Sequence, residues 1–303
     1  MIQAKPFLKW AGGKRQLLKD LEKNFPTSIK KSKSIDLYIE PFVGGGALFF
    51  YLKSNYSINE SIINDINPDL ILTYKVIKKF PKQLIKKLET VENEYLKLDQ
   101  NQRKVYYYEK LRSEYNKTKI DIAHFEKELW IKKATLLIAL NKTCFNGLFR
   151  QNNKGYFNVP IGKYKNPKIL DKENLLNVSQ ALQDTTILCT NYNKIKIPEN
   201  KRPFIYFDPP YRPLSTTASF TKYSKGDFDD KDQEELAQHF KDLAEKKYYL
   251  LLSNSNPKNT NPEDNFFEEL YKDYNIKEIS AKRHINSNAK KRGTITELLI
   301  KNY

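Results

Sequence analysis

The sequence predicts an α/β fold, in which an open, doubly wound sheet is built from the two ends of the chain and interrupted by a mainly helical insert. Three observations lead there. Runs of β-branched, aromatic and aliphatic residues of strand length, bounded by polar ones, fall at residues 35–39, 61–64, 186–189, 204–207, 248–252, 274–280 and 295–302. Helical patterns separate most of them, at residues 47–53, 68–79, 231–247 and 263–272, which is the alternation of sheet strands with crossover helices. From about residue 76 to 184 the helical period takes over. There Leu84, Leu88, Val91, Tyr95 and Leu98 recur at steps of three and four, and Trp130, Ala134, Leu137 and Asn141 do likewise, as core-facing stripes should. After Asn141 the period breaks into a Gly/Asn-rich stretch, Cys144 to Gly155, that suits a loop and a hairpin. Residues 1–75 and 185–303 are therefore read as one domain and 76–184 as a second, inserted one, with no internal repeats and no low-complexity tails.

Composition narrows the partners. The 303 residues are 39% hydrophobic, enough to fill a core. No apolar stretch reaches the roughly 18 residues of a membrane span, and Met1 to Pro6 holds no apolar signal region, so a soluble, cytoplasmic protein without a membrane partner is expected. Cys144 and Cys189 are too few for a disulfide framework, and no His/Cys cluster has metal-ligand spacing. Both are read as buried thiols, and no metal is expected. The excess of 53 Lys and Arg over 36 Asp and Glu gives a net charge of +17, which favours a polyanion, because neutralising phosphates releases condensed counterions. Only eight of the 53 basic residues are Arg, so codon bias toward Lys is a rival cause. Distribution argues against it: residues 141–170 hold Lys142, Arg150, Lys154, Lys163, Lys165 and Lys168 with no acid, and residues 280–296 hold Lys282, Arg283, Lys290, Lys291 and Arg292 with none.

Three motifs carry chemistry. Glu40-Pro41-Phe42-Val43-Gly44-Gly45-Gly46 follows an expected strand and precedes an amphipathic helix, so its glycines let a ligand approach the backbone at the strand's carboxyl end. A phosphate loop is disfavoured, since no Gly-Lys-Ser/Thr follows. About twenty residues on, Asn64-Asp65 closes the next strand, where a carboxylate can accept from both ribose hydroxyls of an adenosyl group. Asp208-Pro209-Pro210-Tyr211 closes the run 204–207 and offers a hydrogen-bond acceptor, free carbonyls in a stiff turn and a stacking face, a set that suits a planar amine. Adenine N6 is a poor nucleophile because its lone pair is delocalised into the ring. Accepting both N6 hydrogens, by Asp208 and the Pro209 carbonyl, would localise that pair, while Tyr211 stacks on the base.

With these motifs in this order, preceded by Lys9-Trp10-Ala11-Gly12-Gly13-Lys14, the chain resembles the Dam family of DNA adenine methyltransferases, which includes the bacterial GATC methylases. The resemblance covers nearly the whole length. It implies a Rossmann-like methyltransferase sheet with an inserted target-recognition domain, S-adenosylmethionine as cofactor, and double-stranded DNA as partner. Trp10, Lys14, Asp65 and Asp208 are the implied cofactor contacts, joined by Glu40, Pro41, Phe42, Gly44 and Gly45 of the glycine motif. Asp208 is also the implied catalytic carboxylate, with Pro209, Pro210 and Tyr211 beside it. Where the family has an Asp-Phe pair after the third strand, this chain has Asn191-Tyr192, and Tyr192 is the candidate to flank the cofactor's adenine. In the insert, Phe145-Asn146-Gly147-Leu148-Phe149-Arg150 resembles the family's recognition segment, followed by Phe157 to Tyr164. By that resemblance Phe145 and Asn146 support the gap left by a flipped base, Leu148 and Pro160 touch base edges or methyls, Arg150 reads a guanine, Lys9 contacts a further guanine, and Tyr164 joins the DNA surface. The implied reaction is direct methyl transfer to N6 without a covalent intermediate. Methylation of cytosine N4, RNA bases or glutamine amides is the rival chemistry, and a DNA-binding regulator with a dead cofactor site is the rival class. A monomer is expected, paired in function with a restriction endonuclease without stable contact to it.

Overall fold

The structure, a computed structural model, describes residues 3–212, 228–282 and 294–303. Seven strands form one mixed sheet: β1 (Ser34–Glu40), β2 (Ser57–Asn64), β3 (Thr185–Leu188), β4 (Phe204–Phe207), β5 (Tyr249–Ser255), β6 (Asn275–Lys282) and β7 (Thr294–Lys301). Their spatial order is β3-β2-β1-β4-β5-β7-β6. The first five strands run parallel, and β7 lies antiparallel between β5 and β6. All seven expected strands are present. Two extend beyond their apolar runs for a physical reason. The leading half of β2, Ser57 to Glu60, is largely exposed and held by its pairing to β1. The end of β5 carries Ser253, Asn254 and Ser255, which are buried and polar and so carry no hydrophobic signal.

The strands alternate their side chains between two cores. Phe204 and Tyr206 of β4 join one core, with Leu21 of α1 (Leu18–Lys23), Ile29 of α2 (Thr27–Ser32), Phe49 of α3 (Ala47–Asn55) and Leu70 of α4 (Pro68–Lys79). The alternate residues Ile205 and Phe207 join the other, against α10 (Asp230–Glu245) and α11 (Phe266–Leu270). Helices thus cover both faces. The α4 boundary is set locally: the Asn67 side chain caps the backbone N–H groups of Asp69 and Leu70, with Pro68 in the first turn. The six-residue helices α1 and α2 are too short for their periodicity to show in the sequence.

Between α4 and β3 the chain is helical, as its period predicts. It forms α5 (Pro81–Lys97), α6 (Gln100–Val105), a π-helical stretch Tyr106–Arg112, α7 (Ser113–Lys117), α8 (Lys127–Thr143) and α9 (Lys172–Ala181). Leu84, Leu88 and Tyr95 are buried on α5, and Trp130, Ala134, Leu137 and Asn141 on α8. All of these but the polar Asn141 belong to the same continuous hydrophobic core as one face of the sheet. After α8 a hairpin is closed by isolated antiparallel bridges, Cys144 to Ile161 and Gln151 to Phe157. Cys144 is buried, whereas Cys189, just past β3, is partly exposed, so the expectation of two buried thiols holds for Cys144 alone. The position after a sheet strand's carboxyl end explains the difference, since that is where the sheet opens toward its ligand side.

A buried charge cluster ties α4 to the helical segment. Asp69 accepts from the Tyr115 hydroxyl and pairs with Lys133 of α8 at 3.6 Å. Lys133 Nζ also donates to the Tyr115 and Thr118 carbonyls, at 3.1 and 3.0 Å. Burial pushes the Lys133 ammonium's pKa below its ordinary value, against the pull of Asp69. Removing one member of such a pair leaves the other charge buried. Lys133→Met is expected to lower stability by about 3–5 kcal/mol, read from the urea midpoint, and an unchanged midpoint would show that the pair contributes nothing.

Candidate active site

The sheet order reverses between β1 and β4, which pair in parallel through Tyr38–Phe204 and Ile39–Ile205. The loops leaving these two strands diverge to opposite sides and open a crevice at their carboxyl ends, where ligands bind in such sheets. One loop is Pro41 to Gly46, the other Asp208 to Tyr211. Both sequence motifs therefore sit at the switch point, with Asp65 beside them at the end of β2.

The first loop is fixed by its neighbours. Gly44 adopts a φ of +46°, and a Cβ there would lie 2.9 Å from Trp10 Cδ1. Only glycine lets Trp10 pack so near the loop. Asp65 accepts from the Gly44 N–H at 3.0 Å and the Asn67 N–H at 2.9 Å, and burial holds its carboxyl above the ordinary range despite these bonds. Asn64, which the sequence offered only as the neighbour of Asp65, is buried. Its amide donates to the Pro41 and Thr190 carbonyls at 2.9 and 3.0 Å and accepts from the Thr190 N–H at 3.0 Å. It thus clamps the β1 loop to the loop after β3. That second loop delivers Tyr192, whose ring lies 5.2 Å from that of Phe42. Ile66, next to Asp65, is 67% exposed, an apolar side chain left at the lip of the crevice. A carboxylate with acceptor capacity, an exposed aliphatic group, an aromatic pair and a glycine approach are the kinds of group an adenosyl moiety needs, so these residues fit S-adenosylmethionine.

Around the second loop, charge is concentrated. Lys14 Nζ lies 3.0 Å from Asp208 Oδ1 and 3.8 Å from Glu297 Oε2, and 4.2 Å from the centroid of the Tyr211 ring. It also donates to the Gly12 carbonyl at 3.0 Å. Asp208 accepts from Ser253 Oγ at 3.2 Å, and Ser253 shares a 2.7 Å bond with the Tyr206 hydroxyl. Burial raises the Asp208 carboxyl above its ordinary range, with Lys14 opposing. The Pro210 carbonyl accepts from Gln233 of α10 at 3.1 Å, and Gln233 is held in turn by Asn254 at 3.0 Å. Ser253, Asn254, Gln233 and Glu297 were not singled out from the sequence. The buried polar tail of β5 was the one signal available, because polar residues continuing a central strand are costly unless they serve a site.

The N-terminal motif reaches the hairpin as well. Asn141 accepts from the Lys9 N–H at 2.9 Å and donates to the Lys9 and Gly147 carbonyls at 2.9 and 2.8 Å. Trp10 stacks on Phe149 with centroids 5.1 Å apart. Lys9 Nζ lies 5.5 Å from the Tyr164 ring centroid. Phe145 is 50% exposed, which excludes a core role, and Asn146 is exposed at a φ of +54°. Pro160 is exposed and its carbonyl accepts from the Phe145 N–H at 2.8 Å, while Leu148 is half-buried against the core. Arg150 is exposed, its Nε donating to Asn158 Oδ1 at 2.8 Å. The acid-free run at residues 280–296 lies largely outside the described residues.

Comparison with known proteins decides the family. A model of the D12 class N6 adenine-specific DNA methyltransferases matches residues 10–285. The chain belongs to that family. It is 48% identical over 303 residues to the type II methyltransferase M.MjaIII of Methanocaldococcus jannaschii, covering 100% of both chains. To the type II methyltransferase M1.LlaDCHI of Lactococcus lactis subsp. cremoris it is 39% identical, over 100% of this chain and 96% of the relative. To the DNA adenine methylase of Escherichia coli K12 it is 32% identical, over 99% and 95%. The D12 methyltransferase is thus an S-adenosylmethionine-dependent DNA adenine-N6 methyltransferase, and DNA is its substrate. Among the described residues no helix is long and apolar enough to cross a membrane.

One carboxyl in the crevice is held neutral. Glu40, at the end of β1, is 3% exposed, accepts from the Tyr38 hydroxyl at 2.7 Å, and is raised from 4.5 to about 8, first by burial and then by the charge of Asp208. The folded protein therefore binds a proton that the unfolded chain has lost above pH 4.5. The stability this confers is complete below that value and is lost as pH rises toward 8. Glu40→Gln is expected to remove this slope, on the order of 3–4 kcal/mol between pH 5 and 8, with the variant the more stable at pH 8. Parallel pH dependences of unfolding for both proteins would show that Glu40 is ionised in the fold.

Proposed function

We propose that the crevice receives an adenine flipped out of duplex DNA, that Asp208, Pro209, Pro210 and Tyr211 hold it, and that the target is GATC. One observation carries the reading. The Asp208 acceptor and the Tyr211 ring face converge on a single point, marked by Lys14 Nζ at 3.0 and 4.2 Å, as a stacked planar amine requires. S-adenosylmethionine supplies a sulfonium methyl that is already activated. The chain's own residues then position the amine, exclude water and accept its hydrogens. Asp208 and the Pro209 carbonyl draw the N6 hydrogens into their bonds, so the lone pair turns toward the methyl, and Tyr211 fixes the plane of the base. Asp65 takes the ribose hydroxyls with lone pairs left over from its two backbone bonds. Trp10, Phe42, Gly44, Gly45 and Tyr192 shape the adenosyl pocket, Glu40 and Pro41 hold its floor, and Lys14 attracts the carboxylate end.

Residues 76–184 serve in this reading as the target-recognition module. Phe145, Asn146, Leu148, Pro160 and Tyr164 meet the DNA, with Lys9 and Arg150 as guanine readers. The exposure of Phe145 and Arg150 and the clasp of Asn141 on Lys9 support it, as does the resemblance to GATC methylases. The type II names of two relatives support a role beside a paired endonuclease, acting as a soluble cytoplasmic monomer. Mapping methylated adenines in DNA from cells expressing the chain tests reaction and target together. Asp208→Ala should bind DNA but lose turnover at least a hundredfold, because an acceptor aimed at developing charge is removed. Methylation within tenfold of wild type would remove Asp208 from that role.

Arg150 gives the sharper test. A guanidinium donates two parallel bonds to guanine O6 and N7, a contact that discriminates by about 1–3 kcal/mol, whereas a phosphate contact discriminates nothing. Arg150→Ala is expected to lose activity on GATC far more than on sites with one guanine replaced. Equal losses on all sites, with a shallower salt dependence, would make Arg150 a backbone contact.

A further inference from the structure

We propose that Glu297 is a positioning residue for the target base, acting by fixing the Tyr211 ring through its hydroxyl; this rests on the reading of Tyr211 as the stacking face. Glu297 lies on β7, opposite Ser255 of β5, and its side chain is 14% exposed. The Tyr211 hydroxyl donates to Glu297 Oε2 at 2.6 Å. Its other partner among the described residues is Lys14, at 3.8 Å, so both are groups of the crevice.

The geometry explains why such a tether is needed. Tyr211 follows two prolines, which have no N–H to offer, so the turn cannot anchor itself through a regular backbone ladder. The Gln233 bond to the Pro210 carbonyl holds the main chain but leaves the ring's torsions to be fixed by something else. A bond at the para hydroxyl, the point farthest from the backbone, stops the ring from swinging away from the position a base must stack upon. Ordering the ring before the base arrives removes an entropic cost from the step that forms the stack. Burial, and then the charges of Asp208 and Glu297, push the phenol's pKa well above its ordinary value, so it stays a donor.

The test is a double-mutant cycle on purified full-length protein, methylating a duplex with one target adenine. Tyr211→Phe and Glu297→Ala should each lower kcat about tenfold with KM for S-adenosylmethionine within about twofold, and the double variant should be no worse than either. Glu297→Gln, whose amide oxygen can still accept, should recover to within about threefold of wild type. Losses that multiply to about a hundredfold in the double variant would overturn the proposal, as would wild-type kcat in Glu297→Ala or a change confined to the cofactor's KM. If Glu297→Ala does not fold, the same cycle run with Glu297→Leu and the Glu297→Gln rescue decides it. Asp208→Ala and Tyr211→Ala serve as references. Full activity in both overturns the reading of the base site itself, whereas inactive references with a multiplicative cycle overturn the role of Glu297 alone.

Discussion

The crevice of this protein turns on one buried ammonium. Lys14 is 4% exposed and faces Asp208 and Glu297, while the pKa of Glu40, buried close by, is raised first by burial and further by the charge of Asp208. Three carboxyls gather around one ammonium, and each ion left unpaired away from water costs several kcal/mol to bury. The conflict is resolved by position. Glu40, deepest and bonded to Tyr38, keeps its proton, and the two acids nearer the opening share Lys14. The element that carries Lys14 is thereby pinned to the carboxyl ends of the sheet, and everything attached to that element is pinned with it.

What is attached reaches in two directions. Trp10 lies against Gly44 and Gly45 of the loop after β1 on one side and stacks on Phe149 of the hairpin on the other. Lys9 is clasped through both backbone groups by Asn141, whose third bond holds Gly147 at the base of the hairpin. Six residues from Lys9 to Lys14 thus join the glycine loop after β1, the Asp208–Tyr211 loop and the hairpin after α8. Asp69 adds a second bridge, since its helix cap begins two residues after Asp65 and its side chain is held by Tyr115 and Lys133 of the helical segment. The crevice side of the sheet and the helical segment are therefore parts of one packed body with a shared core.

The sequence showed the strands and the motif order because those features are written in local terms: runs of β-branched residues, a glycine turn, an Asp-Pro-Pro-Tyr turn. It also placed the glycine motif, Asp65 and Asp208 at the carboxyl ends of strands, while the strand order that brings those ends together was not legible in it. It did not show what Asn64, Ser253, Gln233 or Glu297 would do. Each is an ordinary polar residue in its local sequence, and it matters only through a partner far along the chain, as Glu297 does through Tyr211, 86 residues away. Asn141 was read as one more position in a core stripe. Its burial was foreseen, but the reason for an amide there is a contact 132 residues distant. Polar groups buried on otherwise apolar elements are the one sequence-visible trace of such contacts, and the Ser-Asn-Ser end of β5 is the clearest case.

The position of Lys14 also bears on the chemistry proposed for the crevice. Methyl transfer to an amine places positive charge on a nitrogen that starts neutral, so a site that favours the transition state must be better disposed to a cation than to the free base. The ammonium of Lys14 already tests that disposition: it sits with a carboxylate at 3.0 Å, an aromatic face at 4.2 Å and a second carboxylate at 3.8 Å. Those three groups are oriented by Ser253, by the two prolines and by the Tyr211–Glu297 bond, so their dipoles and charges need no rearrangement when another cation develops among them. The adenine proposed to enter this space would take the acceptor from Lys14 and inherit a surrounding already arranged for positive charge. The same constraint that decides which carboxyl keeps its proton thus arranges the field in which the amine becomes a nucleophile.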